Sequence, residues 1–398
     1  MQHPKTAERN VNVNKQKWYS LIDKVYRVEN LESAWKQVKA NRGAAGVDGI
    51  TIKDFGKDLH GNIEKLSQDM MTKCYVPKPV RRVEIKKDTG GIRPLGIPSI
   101  CDRVAQQSAR NVLEPIFEPK FLDCSFGFRP GRRAHMAIER IKLFLEAGYV
   151  WVVDADILGY FDNISQEKLI DEVAKEVSDG SMLKLIRSFL QSGVMVNGSY
   201  ELTDKGTPQG GVISPLLANV YLHPFDEEMA ARGYRLVRYA DDWLISCKSE
   251  KSAQRALKGA KEILEGQLGL TLHPDKTKIV DARQGFDFLG YHFKVVHFRR
   301  KQKEDDIFNC YLKPSEKALN KFKAKIREIT RRNQTTNMPT LLKKLNPYIR
   351  GWANYYGYGN VKTLFKTIDT WIRRRVRMVQ MRSWRNPRRI WSILMRKG

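Results

Sequence analysis

Several large classes are ruled out by what this chain lacks. Its five cysteines, Cys74, Cys101, Cys124, Cys247 and Cys310, are scattered with no close pair. That spacing builds neither a disulfide framework nor a zinc knuckle, and a reducing cytosol is the expected compartment. No stretch approaches the ~18 apolar residues of a membrane span. The first residues, Met1 to Arg9, are polar and lack an apolar signal core. The chain shows no internal repeat and no low-complexity segment. A glycine-dense loop, Asn41 to Gly49, lacks the spacing of a phosphate-binding P-loop. Acids are scarce: 44 stand against 71 Lys and Arg, for a net charge of +27 and a pI near 9.8.

That excess favours a polyanion as partner, through the overall field and through phosphate contacts that release counterions. It is also unevenly spread. Residues 311 to 398 hold 23 Lys or Arg and three acids, Glu316, Glu328 and Asp369, a local net charge of +20. These cations are interleaved with apolar and aromatic residues, so a folded basic module is expected there, with nucleic acid as its counter-surface and an anionic membrane as the second reading. At 398 residues the chain is expected to form two or three domains.

Periodicity gives a coarse map. Trp18, Leu21, Ile22, Val25 and Tyr26 share a helical face, continued by Leu31, Trp35 and Val38. Residues 77–98 alternate around Lys86 to Gly91 and read as a hairpin with a basic tip. Ser99 and Ser165 stand where helix caps belong, and Pro215 suits the first turn of a helix. Residues 150–157 read as a buried strand, 270–273 and 286–293 as strands, and everything from about Pro314 as helix.

In Arg238-Tyr-Ala-Asp-Asp-Trp243, two adjacent aspartates sit at a tight turn between apolar stretches. Ionised carboxylates in strand-like surroundings are costly unless they hold a cation, and oxygen ligands suit Mg²⁺. The alternative is a solvated turn. The strand at 150–157 offers partners: alternation puts Asp154 and Asp156 on one face, and they compete for the same role. Three carboxylates around two metal ions would suit nucleotidyl transfer, in which the ions activate a 3′-hydroxyl and neutralise the leaving pyrophosphate.

Tyr239-Ala-Asp-Asp242 resembles the YxDD box of reverse transcriptases, and the wider chain resembles the reverse transcriptase–maturases of group II introns. Asn41 to Gly49 is similar to their N-terminal extension loop. Arg93 to Ser99, Asp102-Arg-Val104 and Ser125 to Arg133 are similar to their fingers motifs. Asp156 to Ile164 resembles the first catalytic block, Gly206 to Pro215 the nucleotide-site loop, Phe286 to Tyr291 the primer grip, and Asn346 to Tyr356 the thumb helices. The likeness runs from about residue 30 to about residue 390.

The resemblance implies an α+β right-hand polymerase: a helical extension over 1–40, fingers over 41–145, palm over 146–300 and an all-helical basic thumb or maturase region over 311–398. It implies Asp156, Asp241 and Asp242 as catalytic metal carboxylates, with the carbonyl of Ile157 as a further ligand of two Mg²⁺ ions, Mn²⁺ being an alternative. Phe161 would crowd the sugar 2′ position, with Tyr160 beside it as competitor. Gln209 would lie along the incoming nucleotide. Arg81, Lys87 and Arg93 would clamp the triphosphate, with Lys86 competing with Lys87. Lys276 could protonate pyrophosphate. Arg350, Lys362, Arg373, Arg374, Arg375 and Arg377 would grip RNA. The implied partners are group II intron RNA, an RNA template, a DNA primer and dNTPs. The implied place is the bacterial cytoplasm, at the nucleoid during integration, as monomer or homodimer.

One departure is Leu158, where the family often has Lys. No Cys follows Cys310, so endonuclease activity is not expected. The competing readings are an RNA-binding maturase without polymerase activity and a domesticated relative used in DNA repair or phage defence.

Overall fold

The computed structural model describes residues 17–86, 91–196, 199–201, 205–208, 210–299, 306–331, 337–381, 392 and 396. In chain order come α1 (Ile22–Tyr26), α2 (Val28–Ala40), α3 (Ile52–Phe55) and α4 (Leu59–Met71). The hairpin β1 (Val80–Lys86) and β2 (Ile92–Ile97) follows, then α5 (Ile100–Phe117), α6 (Ala134–Glu146) and β3 (Trp151–Ala155). Next are α7 (Tyr160–Asn163), α8 (Gln166–Ala174), α9 (Gly180–Leu190), β4 (Val194–Val196), β5 (Ser199–Glu201) and α10 (Ser214–Ala231). The hairpin β6 (Arg235–Tyr239) and β7 (Asp242–Cys247) leads to α11 (Glu250–Lys261), β8 (Lys278–Asp281), β9 (Phe286–Phe288), β10 (Tyr291–Arg299) and β11 (Asp306–Pro314). The last helices are α12 (Glu316–Ile329), α13 (Met338–Tyr356) and α14 (Lys362–Gln380).

Three sheets have the orders β2-β1-β4-β5, β6-β7-β3-β8 and β11-β10-β9. The chain divides into two compact units. The first comprises 1–132, 155–243 and 257–277, and the second 133–154, 244–256 and 278–398.

In the first unit, α2 turns Leu31, Ala34, Trp35 and Val38 inward at helical spacing and packs along α5. The Ser99 side chain accepts from the Asp102 N–H and starts α5, and Ser165 caps α8 in the same way. Asp179 does double duty: it caps α9 and accepts from the N–H groups of Leu21 and Ile22. The glycine-dense loop has a steric reason. A Cβ on Gly46 would come within 2.6 Å of the Ser99 backbone, so only glycine allows that approach.

In the second unit, α12, α13 and α14 bury Phe322, Ile326, Leu341, Leu345, Ile368, Ile372 and Val379 together. The described elements after Pro314 are helical as expected, but residues 311–314, expected within the all-helical 311–398, belong to β11, whose ladder with β10 continues through them. Rings reinforce this core: Trp352 stacks on Phe322 at 4.2 Å and leans on Tyr356 at 4.8 Å.

Three local expectations are corrected. Trp18 is not on the first helix but forms a β-bridge with Val177, its N–H donating to the Glu176 carbonyl. Residues 270–273 are not a strand; only Leu272 bridges, to Ile157, and Pro274, lacking an N–H, cannot extend a ladder. Asp156 lies just beyond the end of β3 rather than within it. Among the described residues no helix is long and apolar enough to cross a membrane.

Candidate active site

The Asp241–Asp242 pair sits where β6 turns into β7, with Ala240 and Asp241 forming the turn. Ala240 has φ of 60°. A left-handed residue at the first position of a two-residue hairpin suits the strand twist, but glycine is the usual occupant. For alanine that conformation costs roughly 1–2 kcal/mol, so neighbouring structure must hold it.

The holding structure is a buried polar network. The Arg238 side chain is completely buried. Its Nη1 donates to the Ala240 carbonyl at 3.0 Å and to Asn219 Oδ1 at 3.0 Å. Its Nε and Nη2 take both oxygens of Asp226 at 2.7 and 2.5 Å, and Nη2 also reaches Ser125 Oγ at 2.8 Å. Burial alone would lower the Arg238 pKa, but the Asp226 carboxylate outweighs it and holds the guanidinium above its ordinary value. Asn219 then donates to the Gly127 carbonyl at 2.8 Å. The segment around Ser125 runs beside β6, with Phe126 N–H donating to the Arg238 carbonyl and Arg238 N–H to that of Cys124. Gly127 lies so close under the turn that a Cβ there would stand 2.3 Å from the Ala240 nitrogen. The turn is thus gripped through its backbone from two sides.

Asp156 is positioned by a different stretch. Its carbonyl accepts from His273 N–H, and Leu158 N–H donates to the Thr271 carbonyl, so Ile157 is flanked on both sides. This lays the 270–277 segment along the end of β3 and brings Lys276 Nζ onto Asp156 Oδ2. The ammonium is held above its ordinary pKa mainly by that bond. Partial burial opposes the rise, and the charges of Asp156, Asp242 and Asp241 add to it. Lys276 is therefore a cation in the field of all three expected carboxylates. Asp154, the competitor, faces Lys278 at 3.5 Å instead, its register partner on β8.

Among the described residues no three His, Cys, Asp or Glu side chains are gathered into a ready-made metal cage. Mg²⁺ seldom uses one: it keeps waters and binds through one or two carboxylates plus substrate phosphates. The hard carboxylate oxygens fit such an ion in donor chemistry, and the Lys276 ammonium would have to leave Asp156 to make room for it.

The expected nucleotide residues fare unevenly. Tyr160 is core, its hydroxyl donating to the Ala218 carbonyl at 2.5 Å. Phe161 is only half-buried and meets Phe128 edge-on at 6.3 Å. Of the two aromatics, Phe161 is the one left accessible. Thr207 N–H donates to the Phe161 carbonyl and Gly206 N–H to that of Ile164, tying the 206–208 loop to α7. Beside this loop, Val80, Arg82, Pro94, Gly96, Asp162 and Lys205 contribute to the lining of a cavity of about 210 Å³. Arg81 is turned away, its Nη2 donating to the Ala45 carbonyl at 2.7 Å. Arg93 lies on β2 opposite Ile85. Lys87 and Gln209 lie outside the described residues.

Of the expected RNA-gripping residues, Arg350, Lys362, Arg373, Arg374 and Arg377 are exposed on α13 and α14. Arg373 pairs with Asp369 at 3.0 Å. Arg375 is different: it donates to Thr330 Oγ1 and to the Thr330 carbonyl, both at 3.0 Å, and so pins α14 to the end of α12.

Sequence reasoning missed the Arg238 network. The available signal was an arginine inside the apolar run Leu236-Val237-Arg238, a position where a lone cation has no reason to be.

Known proteins resemble this chain over most of its length. The family described as reverse transcriptase (RNA-dependent DNA polymerase) matches residues 85–293, and the group II intron maturase-specific domain matches residues 319–398. Protein YkfC of Escherichia coli K12 is 32% identical over 340 residues, covering 75% of this chain and 88% of that protein. The group II intron-encoded protein LtrA of Lactococcus lactis is 31% identical over 410 residues, covering 81% of this chain and 68% of that protein.

Proposed function

The chain belongs to the group II intron reverse transcriptase–maturases, and from that premise we propose that it copies RNA into DNA and helps its host intron RNA fold and splice. In this reading residues 41–145 are fingers, 146–300 palm and 311–398 thumb and maturase region, after a helical extension over 1–40. The observation behind the polymerase half is the bond of Lys276 to Asp156, with the charges of Asp241 and Asp242 also acting on that ammonium. Two Mg²⁺ ions, when bound, would lower the pKa of a primer 3′-hydroxyl and neutralise a departing pyrophosphate.

The chain's own groups do the rest. Asp156, with the Ile157 carbonyl, and the Asp241–Asp242 turn would supply the oxygen ligands. The Arg238 network fixes the turn, so that little reorganisation is needed when substrate arrives. Phe161 presents its ring to the sugar of an incoming dNTP, while Gln209, Lys87 and Arg93 complete the nucleotide site. Lys276, released from Asp156, would give a proton to pyrophosphate. The exposed cations of α13 and α14 hold intron RNA through phosphates and shape. The setting would be a bacterial cytoplasm.

Primer extension on poly-rA/oligo-dT with Mg²⁺ tests this. Wild type should incorporate dTTP and Asp241→Ala should not. An inactive wild type that still stabilises intron RNA would point to a maturase without polymerase activity.

A further inference from the structure

The long ribbon of β10 and β11 in the second unit has two unlike faces. One is closed. Phe293, Val295, Cys310 and Leu312 are buried there. The Cys310 N–H donates to Glu146 at the end of α6, and the Phe308 ring lies where a Cβ on Gly148 would meet it at 3.2 Å. The other face is open to water. On it Lys294 stands directly opposite Tyr311, His292 opposite Lys313, and Phe298 opposite Ile307. Tyr311 is 45% exposed and Phe298 48%.

Two large rings on a solvent-facing ribbon, each only about half covered by the fold, leave ring surface open. They stand about 13 Å apart along the strands, at ~3.3 Å per residue, a span that suits a few nucleotides. The flanking charges are positive. Asp287, beside His292, is bonded to its Nδ1 at 2.7 Å, and neither Lys294 nor Lys313 has an acidic partner among the described residues. Val296 and Asn309 lie between the rings, and the lysines gather at the Tyr311 end. Rings that offer a stacking surface, beside cations that offer phosphate contacts, complement a single-stranded nucleic acid. Duplex RNA keeps its base faces covered and offers such a surface little. An acidic peptide would satisfy the lysines and leave the rings without purpose.

We propose that this face is a platform for unpaired RNA, with Tyr311 and Phe298 each stacking a base and Lys294, level with Tyr311, and Lys313, beyond it, holding phosphates at that end. The choice of RNA rests on the function proposed above. It is a surface distinct from the carboxylate site, and its occupant is a single-stranded segment of the bound RNA.

Filter binding of the full-length chain to a short unpaired RNA, and to the same sequence in duplex form, tests the idea across a salt series. Tyr311→Ala should weaken unpaired RNA about tenfold and leave duplex binding unchanged, while Tyr311→Phe should bind as wild type. Lys294→Ala combined with Lys313→Ala should reduce the salt slope by about 1.4, at ~0.7 per phosphate on a single strand. Folded Tyr311→Ala and Phe298→Ala variants, intact by circular dichroism, that bind unpaired RNA like wild type would overturn the proposal. Should these variants not fold, 4-thiouridine crosslinking of wild type decides: crosslinked peptides from 291–299 or 306–314 support it, and their absence refutes it. Primer extension run in parallel separates the two readings. A chain inactive in extension whose RNA binding still depends on Tyr311 would sink the polymerase claim and keep this one.

Discussion

In the first unit Asp102, Arg103, Arg129, Asp226 and Arg238 are all buried, whereas the second unit, among its described residues, buries only Ser246, Ser315 and Thr330 as polar side chains. The two regions achieve rigidity by opposite routes. Around the Asp241–Asp242 turn, directional bonds from a buried guanidinium fix individual carbonyls. In the three terminal helices, stacked rings and aliphatic side chains fix the backbone, and the expected RNA-gripping cations other than Arg375, which bonds to Thr330, stay outside. Polar networks specify position at the risk of leaving a charge unpaired. Apolar cores tolerate more but place a surface rather than an atom. A reaction at two carboxylates calls for the first, and holding a large polyanion needs only the second.

The largest effect expected is at the tip itself. Asp241→Ala or Asp242→Ala should lower primer extension by about a thousandfold, the several kcal/mol a metal carboxylate supplies. Unfolding of these variants should stay near wild type, and residual activity within a few-fold would break the assignment. Next is the brace. Arg238→Met leaves Asp226 buried and unpaired and should lose about 3–5 kcal/mol in urea unfolding. Arg238→Met with Asp226→Leu should recover most of that loss. The exposed Arg373→Ala in the other unit should move stability by no more than ~0.5 kcal/mol. Equal losses at the two arginines would erase the contrast.

A smaller effect is expected at Gly127→Ala, whose methyl would press on the turn. It should destabilise by about 1–3 kcal/mol and lower extension further than its stability accounts for. The smallest is a change of slope. Replacing Arg373, Arg374 and Arg377 with Gln should flatten the salt dependence of intron RNA binding by roughly 0.9 for each phosphate left unneutralised on duplex-like RNA. Adding Arg375→Gln should loosen α14 instead, visible as faster hydrogen exchange at the end of α12.

Much of this architecture was legible from local pattern. The Asp-Asp turn, the caps at Ser99 and Ser165 and the helical C-terminus each depend on residues a few positions apart. What stayed hidden depends on long separations. Arg238 draws on Asp226 and Asn219 from α10 and on Ser125, far earlier in the chain. No periodicity reports that meeting. Alternation also placed Asp154 and Asp156 as equals on one face. They diverge because β3 ends at Ala155, leaving Asp156 to the 270–277 segment and Asp154 to Lys278. The strand expected at 270–273 failed for a related reason, since apolar alternation cannot tell a ladder from a single bridge before proline.

The grip on Ala240 is through its carbonyl, a group every amino acid carries. The address is therefore written in main chain, and the letters at the tip can change without altering its shape. A lineage that abandoned copying could drift at Asp241 and Asp242 while still inheriting the turn, the buried arginine and a sound scaffold for chaperoning RNA. Such descendants would be recognisable as those in which the brace has outlived what it once aimed.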